Sequence, residues 1–397
     1  MSNTNEKPNL GLTAILGALS LFLVSQAAML VNPALASLAE KYPDVPYTTI
    51  TLASTLCSLL YVPSNIVGGL LAGKKVTYRT LAIISLAFTI VGGVLPYFIG
   101  GSWTMVLVCR GLMGIAAGLG FPLGSAYIMQ KFNAKQAASV QGFGSLTQNL
   151  AGFVFATVAG WVCMVKVEYV WLAHLVLALP LLLVIFFVHD ELPTEPVASD
   201  SNAPAASSKL PLLVIVYSLF YGLMFAVYYP LHLNVSQIMI TEGFGTAAAA
   251  GTACSFYTVG GIASGFVFGP LYKACKKATF PICFAGWIAA LLIGYFATST
   301  AAYCVAICLG GLTIFCIWPA TFMSFAEFVP ADRSGLSAGI FSALLNTGAF
   351  CATPFCSIVA SVTGSTNPRT PILAGAIVTI ILAVVWTVIE YTRKPAK

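Results

Sequence analysis

Twelve runs of the 397-residue chain stay apolar for about 20 residues or more, the length a helix needs to cross a bilayer. They span 10–38, 47–72, 79–99, 103–130, 136–163, 168–188, 211–236, 247–272, 278–298, 301–328, 334–363 and 370–391. Inside hydrocarbon every backbone N–H and C=O must be bonded within the protein, so runs of this kind fold as transmembrane helices. Nor could the remainder coat a water-soluble body. Charged residues make up 8% of the chain, against about a quarter in soluble domains. The expected fold is all-α: a polytopic membrane protein with twelve transmembrane helices in two six-helix, pseudo-symmetric bundles.

Connections between the runs are short except for 189–210, HDELPTEPVASDSNAPAASSKL, whose Pro, Ser, Ala and acidic residues read as a flexible linker. The expected division is an N-terminal bundle over 1–190, a cytoplasmic linker over 191–210 and a C-terminal bundle over 211–397. Twelve crossings put both termini on one side. Fourteen of the 18 Lys and Arg fall on that side, three (Lys41, Lys166, Arg369) on the other, and Arg110 inside a span. Basic residues collect on the cytoplasmic side, so termini and linker are expected there, in a multi-pass protein of the cell's inner membrane.

The halves repeat. Pro33 pairs with Pro230, Pro122 with Pro319, and Gly142, Ser145, Asn149 and Phe153 with Gly339, Ser342, Asn346 and Phe350, each 197 residues apart. Tyr61, Gly69 and Gly73 pair with Tyr257, Gly265 and Gly269 at 196. Duplicated six-helix halves are a design that places a solute site between two rocking bundles.

These features resemble the major facilitator superfamily, and the resemblance covers the whole chain. Its most specific stretch is the loop after the second run, Gly69-Leu70-Leu71-Ala72-Gly73-Lys74-Lys75-Val76-Thr77-Tyr78-Arg79. Gly69, Leu71, Ala72, Lys74 and Lys75 fit the family pattern, and Gly73 stands where the family usually carries Asp. The resemblance implies a gating role for Gly69, Gly73, Lys74, Lys75 and Arg79. Arg110-Gly111-Leu112-Met113-Gly114 is similar to the family's Arg-x-x-x-Gly stretch, and NPALASLAEKYPD (32–44) resembles the first-span exit of the drug- and sugar-efflux-like bacterial branch.

A charge inside a span is costly and marks function by default. Arg110 is therefore a candidate contact for an anionic solute, or else a brace that caps carbonyls between the first and fourth spans. The acids look peripheral: Asp190 and Glu191 fall in the linker, Glu390 near the C-terminus and Glu327 at the inner end of the tenth span. Glu327 and His232 are the candidates for a protonation step, His232 because imidazole titrates near neutrality. Tyr217, Tyr221, Tyr228 and His232 follow spacings of 4, 7 and 4, one helix face suited to an amphipathic ligand or to interfacial packing. Gln26, Gln148 and Asn346 are mid-depth amides and Trp318 sits beside Pro319. With Arg110, Tyr221 and Tyr228 they complete the expected substrate contacts. Asn149, the repeat partner of Asn346, reads as packing.

The eleven cysteines show no CxxC spacing and read as packed thiols. The first run lacks a cleavage pattern, so no removable signal peptide is expected. No phosphate-cradling loop, HExxH or metal cluster appears, so an enzyme, a bound cofactor and a resident metal are not expected. The net charge of +6 is spread along the chain, which excludes a nucleic-acid surface. The expected partners are a small-molecule substrate, the lipid bilayer and protons, with the chain a monomer. The expected function is a secondary active transporter, a proton-coupled exporter working by alternating access. The alternatives are an importer or exchanger of organic anions through Arg110, and a membrane sensor or scaffold, which the short tails argue against.

Overall fold

The computed structural model describes residues 10–73, 75–99, 101–132, 134–191, 211–329 and 334–392. Each apolar run forms a helical span. Span 1 is composite, with helix Leu12–Ser20, a 3₁₀ stretch Leu21–Ala34 containing Pro33, and helix Leu35–Lys41. Span 2 is Tyr47–Leu71, span 3 Tyr78–Ile99 and span 5 Ala134–Val165. Span 4 runs Trp103–Gly120 and Leu123–Lys131, broken where Pro122 lacks a donor for the helical ladder. Span 6 is Tyr169–Phe187 and span 7 Leu212–Thr241, interrupted at Tyr229-Pro230. Spans 8 to 12 are Ala247–Cys275, Thr279–Phe296, Thr300–Ala326, Ser334–Thr363 and Thr370–Thr392. Spans 8 and 9 reverse at Lys276, where φ is 46°.

The repeat in the sequence is a repeat in the packing. Span 2 lies on 4 as 8 lies on 10, span 3 on 6 as 9 on 12, and span 1 on 5 as 7 on 11. Between the bundles, span 5 meets span 8 and span 2 meets span 11. Large apolar side chains such as Phe98, Val165, Phe266 and Val362 cover the periphery, as a lipid-facing surface requires. Asn149 and Asn346 each donate to the carbonyl four residues back, Ser145 at 2.9 Å and Ser342 at 2.8 Å.

At the end far from the termini, each half ties its first loop to its fifth. Lys41 Nζ reaches Glu168 Oε1 at 2.8 Å in the first half, and Arg369 grips Glu242 at 2.5 and 2.6 Å in the second. Both pairs are 127 residues apart, with the charges exchanged.

The loop between spans 2 and 3 is a tight turn. Gly73 has φ +68°, and its N–H donates to the Val76 carbonyl at 2.8 Å. A Cβ there would meet the Tyr78 ring at 2.7 Å, so no side chain fits where the family usually has Asp. A carboxylate arrives from elsewhere. Asp190, read from sequence as a linker residue, accepts the Tyr78 and Arg79 backbone N–H groups at 2.5 and 3.1 Å and caps span 3.

Candidate functional site

Arg110 sits seven residues into span 4, roughly 10 Å along the helix. It is fully buried inside the N-terminal bundle. Its Nε donates to the Ala53 carbonyl of span 2 at 2.6 Å, and Nη1 lies 3.1 Å from His174 Nε2 of span 6. His174 Nδ1 lies 3.1 Å from the Trp171 carbonyl, so a proton on Nδ1 leaves Nε2 free to accept from Arg110. The Cys57 thiol donates to the Arg110 carbonyl at 3.1 Å. The brace thus joins spans 2, 4 and 6, where sequence reasoning expected the first and fourth. Among the described partners of the guanidinium are an imidazole, a carbonyl and the Met113 sulfur at 3.1 Å, which a search for acids overlooks.

The tyrosine stripe turns into its own bundle. Tyr217, Tyr221 and Tyr228 are fully buried. Tyr217 donates a short hydrogen bond to Glu390 of span 12, and Lys277 approaches that carboxylate at 4.0 Å. Glu390 is 1% exposed, not the peripheral acid its position suggested. Tyr221 packs among Phe284, Phe341 and Trp386 at centroid distances of 5.2 to 6.2 Å. The Tyr228 hydroxyl lies 3.2 Å from His232 Nε2, and its ring sits edge-on to Trp287.

His232 alone in the stripe reaches the surface between the halves. It borders a cavity of about 20 Å³ lined by Leu30, Asn32, Gly152, Ala156, His232, Cys254, Tyr257 and Thr258, contributed by spans 1, 5, 7 and 8. That is room for one water molecule. The Tyr257 ring stands edge-on to His232 at 4.9 Å, and Tyr229 stacks on it at 5.7 Å. Asn32 is 1% exposed. Its Nδ2 points to the Tyr229 hydroxyl at 3.5 Å, and its Oδ1 has no hydrogen-bond partner among the described residues.

Asn32 and Tyr229 each precede a repeat proline, so they are repeat counterparts 197 residues apart that touch. Residues that meet their own counterparts lie at the pseudo-twofold axis. The offset and the shared proline were the available signal for Asn32; only its partnerless oxygen required the structure.

Beyond the cavity, toward the end far from the termini, hydrogen bonds join the halves. The Thr353 hydroxyl lies 3.0 and 2.9 Å from those of Thr51 and Thr55. Thr157 meets Ser255 at 2.8 Å, Ser236 accepts from the Ala36 N–H at 3.0 Å, and Tyr47 donates to the Leu233 carbonyl at 3.1 Å. Spans 5 and 8 touch at Gly160 and Gly251, where a Cβ on Gly160 would come within 3.0 Å of the Gly251 Cα. Toward the termini, a Cβ at Gly69, Gly265, Gly269 or Gly339 would meet open space.

The other expected contacts are dispersed. Gln148 is half-buried one turn from Gly152, Asn346 is half-buried, and Trp318 stands edge-on to Phe341 at 5.5 Å. Glu327 is exposed where span 10 ends. Lys75 is exposed, and Arg79 donates to the Ile185 carbonyl at 2.8 Å. The Gln26 side chain and Lys74 lie outside the described residues.

The family model of the Major Facilitator Superfamily matches residues 17–238 and again 214–397. The chain belongs to the Major Facilitator Superfamily. This superfamily member is a membrane transporter and not an enzyme. Over 141 residues it is 29% identical to the multidrug transporter protein MdtP of Bacillus subtilis (strain 168), a match covering 35% of the chain and a quarter of that protein. Its fold is similar to that of the nucleoside transporter NupG, with TM-score 0.76 and 12% identity over 95% of this chain and 99% of that one. A peptide transporter, POT, in complex with sulfate gives 0.70 and 13% over 97% of each. At such identities the likeness is one of fold.

Proposed function

We infer that this transporter exports a small organic solute across the plasma membrane by alternating access, in exchange for protons. The bundles 1–190 and 211–397 are the moving bodies, and the termini face the cytoplasm. The observation that carries this reading is the contrast between the two ends. The far end is sealed between spans 2 and 11 and between 5 and 8, whereas toward the termini Gly69, Gly265, Gly269 and Gly339 of spans 2, 8 and 11 have no neighbour within 4 Å of a Cβ position. The seal consists of hydroxyls and glycine backbone. Neutral hydrogen bonds of this kind contribute about 1 kcal/mol each, so the two bundles separate at modest cost. The partial likeness to a multidrug transporter favours export. Of the two protonation candidates, His232 is the one at the surface between the halves, so coupling is assigned to it.

The test uses everted membrane vesicles energised to be acid inside. Expression of the chain should accelerate uptake of fluorescent organic solutes, nigericin should abolish the gain, and His232→Ala should uncouple it. Uptake indifferent to the gradient would remove the proton, and no uptake in any vesicle would remove the exporter. The organic-anion reading loses its footing because Arg110 is enclosed by its own bundle. Defective anion transport in a folded Arg110→Lys variant would restore it.

A further inference from the structure

We propose that Asn32 reads a hydrogen-bond donor on the solute, and that the cavity beside it is the collapsed part of a site for uncharged or singly cationic, donor-bearing organic molecules. The inference rests on the exporter reading above and specifies its substrate class. A buried carbonyl oxygen without a partner costs stability, so its retention calls for a partner at another stage of the cycle. Asn32 Oδ1 is such an oxygen among the described residues, and Asn32 lines the one-water cavity. It also lies at the pseudo-twofold axis, where a path between two equivalent bundles must run. Parting Thr157 from Ser255 and Gly160 from Gly251 would widen the cavity on its span 5 and span 8 walls.

The lining decides the charge. It brings the aromatic rings of Tyr257 and His232 together with Thr258 and Cys254, and no Lys, Arg, Asp or Glu lines the cavity among the described residues. Arg110 and Glu390 are held inside their respective bundles. Ring faces and a carbonyl oxygen attract a cation or an N–H and repel a carboxylate.

Cys254 lines the same cavity and serves as a native reporter. In the purified full chain, its alkylation by N-ethylmaleimide is read on its own peptide by mass spectrometry. The competitors are ethidium, a cation with aryl N–H donors, tetraphenylphosphonium, a cation without donors, and benzoate. Ethidium should protect Cys254 and benzoate should not. Asn32→Leu should raise the half-protecting ethidium concentration about tenfold, the loss of one buried hydrogen bond, and leave tetraphenylphosphonium unchanged. Asn32→Asp, which keeps the acceptor, should restore ethidium protection. Ethidium protection equal in all three proteins, or benzoate as effective as ethidium, overturns the proposal and leaves the cavity to a structural water. Efflux of ethidium from liposomes, followed in parallel, separates the failures. Transport with protection insensitive to Asn32 sinks only this site, whereas neither transport nor protection sinks the exporter reading as well.

Discussion

The two ion pairs at the far end occupy equivalent places in the two halves, yet only one is built into the protein. Lys41 and Glu168 meet through one 2.8 Å contact, with side chains 33% and 23% exposed. Arg369 engages both oxygens of Glu242 and donates to the carbonyls of Gly294, Tyr295 and Ala297, with its side chain 11% exposed. A lysine is a flexible point charge, whereas the planar guanidinium presents five donors in a fixed fork. The tie between the loops recurs in both halves, and its chemistry makes it a surface contact in one and a many-bonded node in the other.

The largest expected difference comes from removing the cations singly. Arg369→Met leaves three carbonyls without their donor, while Glu242, 36% exposed, can turn to water, and should cost about 2 to 4 kcal/mol, read by SDS titration of purified protein in mixed micelles. Equal losses for Arg369→Met and Lys41→Met would erase the contrast. Exchanging the charges comes next. Glu242→Arg with Arg369→Glu should cost about 2 kcal/mol or more, because a carboxylate then faces carbonyl oxygens. Lys41→Glu with Glu168→Lys should stay within about 0.5 kcal/mol, and a costly swap there would show that the first pair also has fixed surroundings. Lys41→Met alone should lose less than about 1 kcal/mol.

The smallest effect is one of pH. The Glu168 carboxyl is held below its usual range, chiefly by the hydrogen bond from Lys41. A depressed folded value means the contribution is complete above the ordinary carboxylate range, near pH 4.3, and is lost as pH falls through the lower folded value. Thermal melts between pH 6 and 3 should show this acid-dependent loss in wild type, and Lys41→Met should flatten it.

Span positions were legible because they depend on a one-dimensional property, the length of an apolar run. The run 47–72 became Tyr47–Leu71 and 370–391 became Thr370–Thr392. Which way a helix face points was not. The spacing of Tyr217, Tyr221 and Tyr228 correctly groups them on one face, but lipid, neighbouring helix and solute path all accept aromatic rings. The face turned toward Phe284 and Trp386. Partners distant in sequence were hidden for a related reason. Glu390 finds Tyr217 across 173 residues, and Arg110 is met by a carbonyl and an imidazole. Asp190 looked like linker because nothing in its neighbourhood shows that span 3 begins beside it.

The exchanged polarity of the far-end pairs bears on how the nascent chain sorts its loops. Were the first loop of one half to dock on the fifth loop of the other, Lys41 would face Arg369 and Glu242 would face Glu168. Both mispairings set like charges together, while the correct ones set opposites. Two related halves emerging one after the other therefore carry a proofreading mark against trading loops.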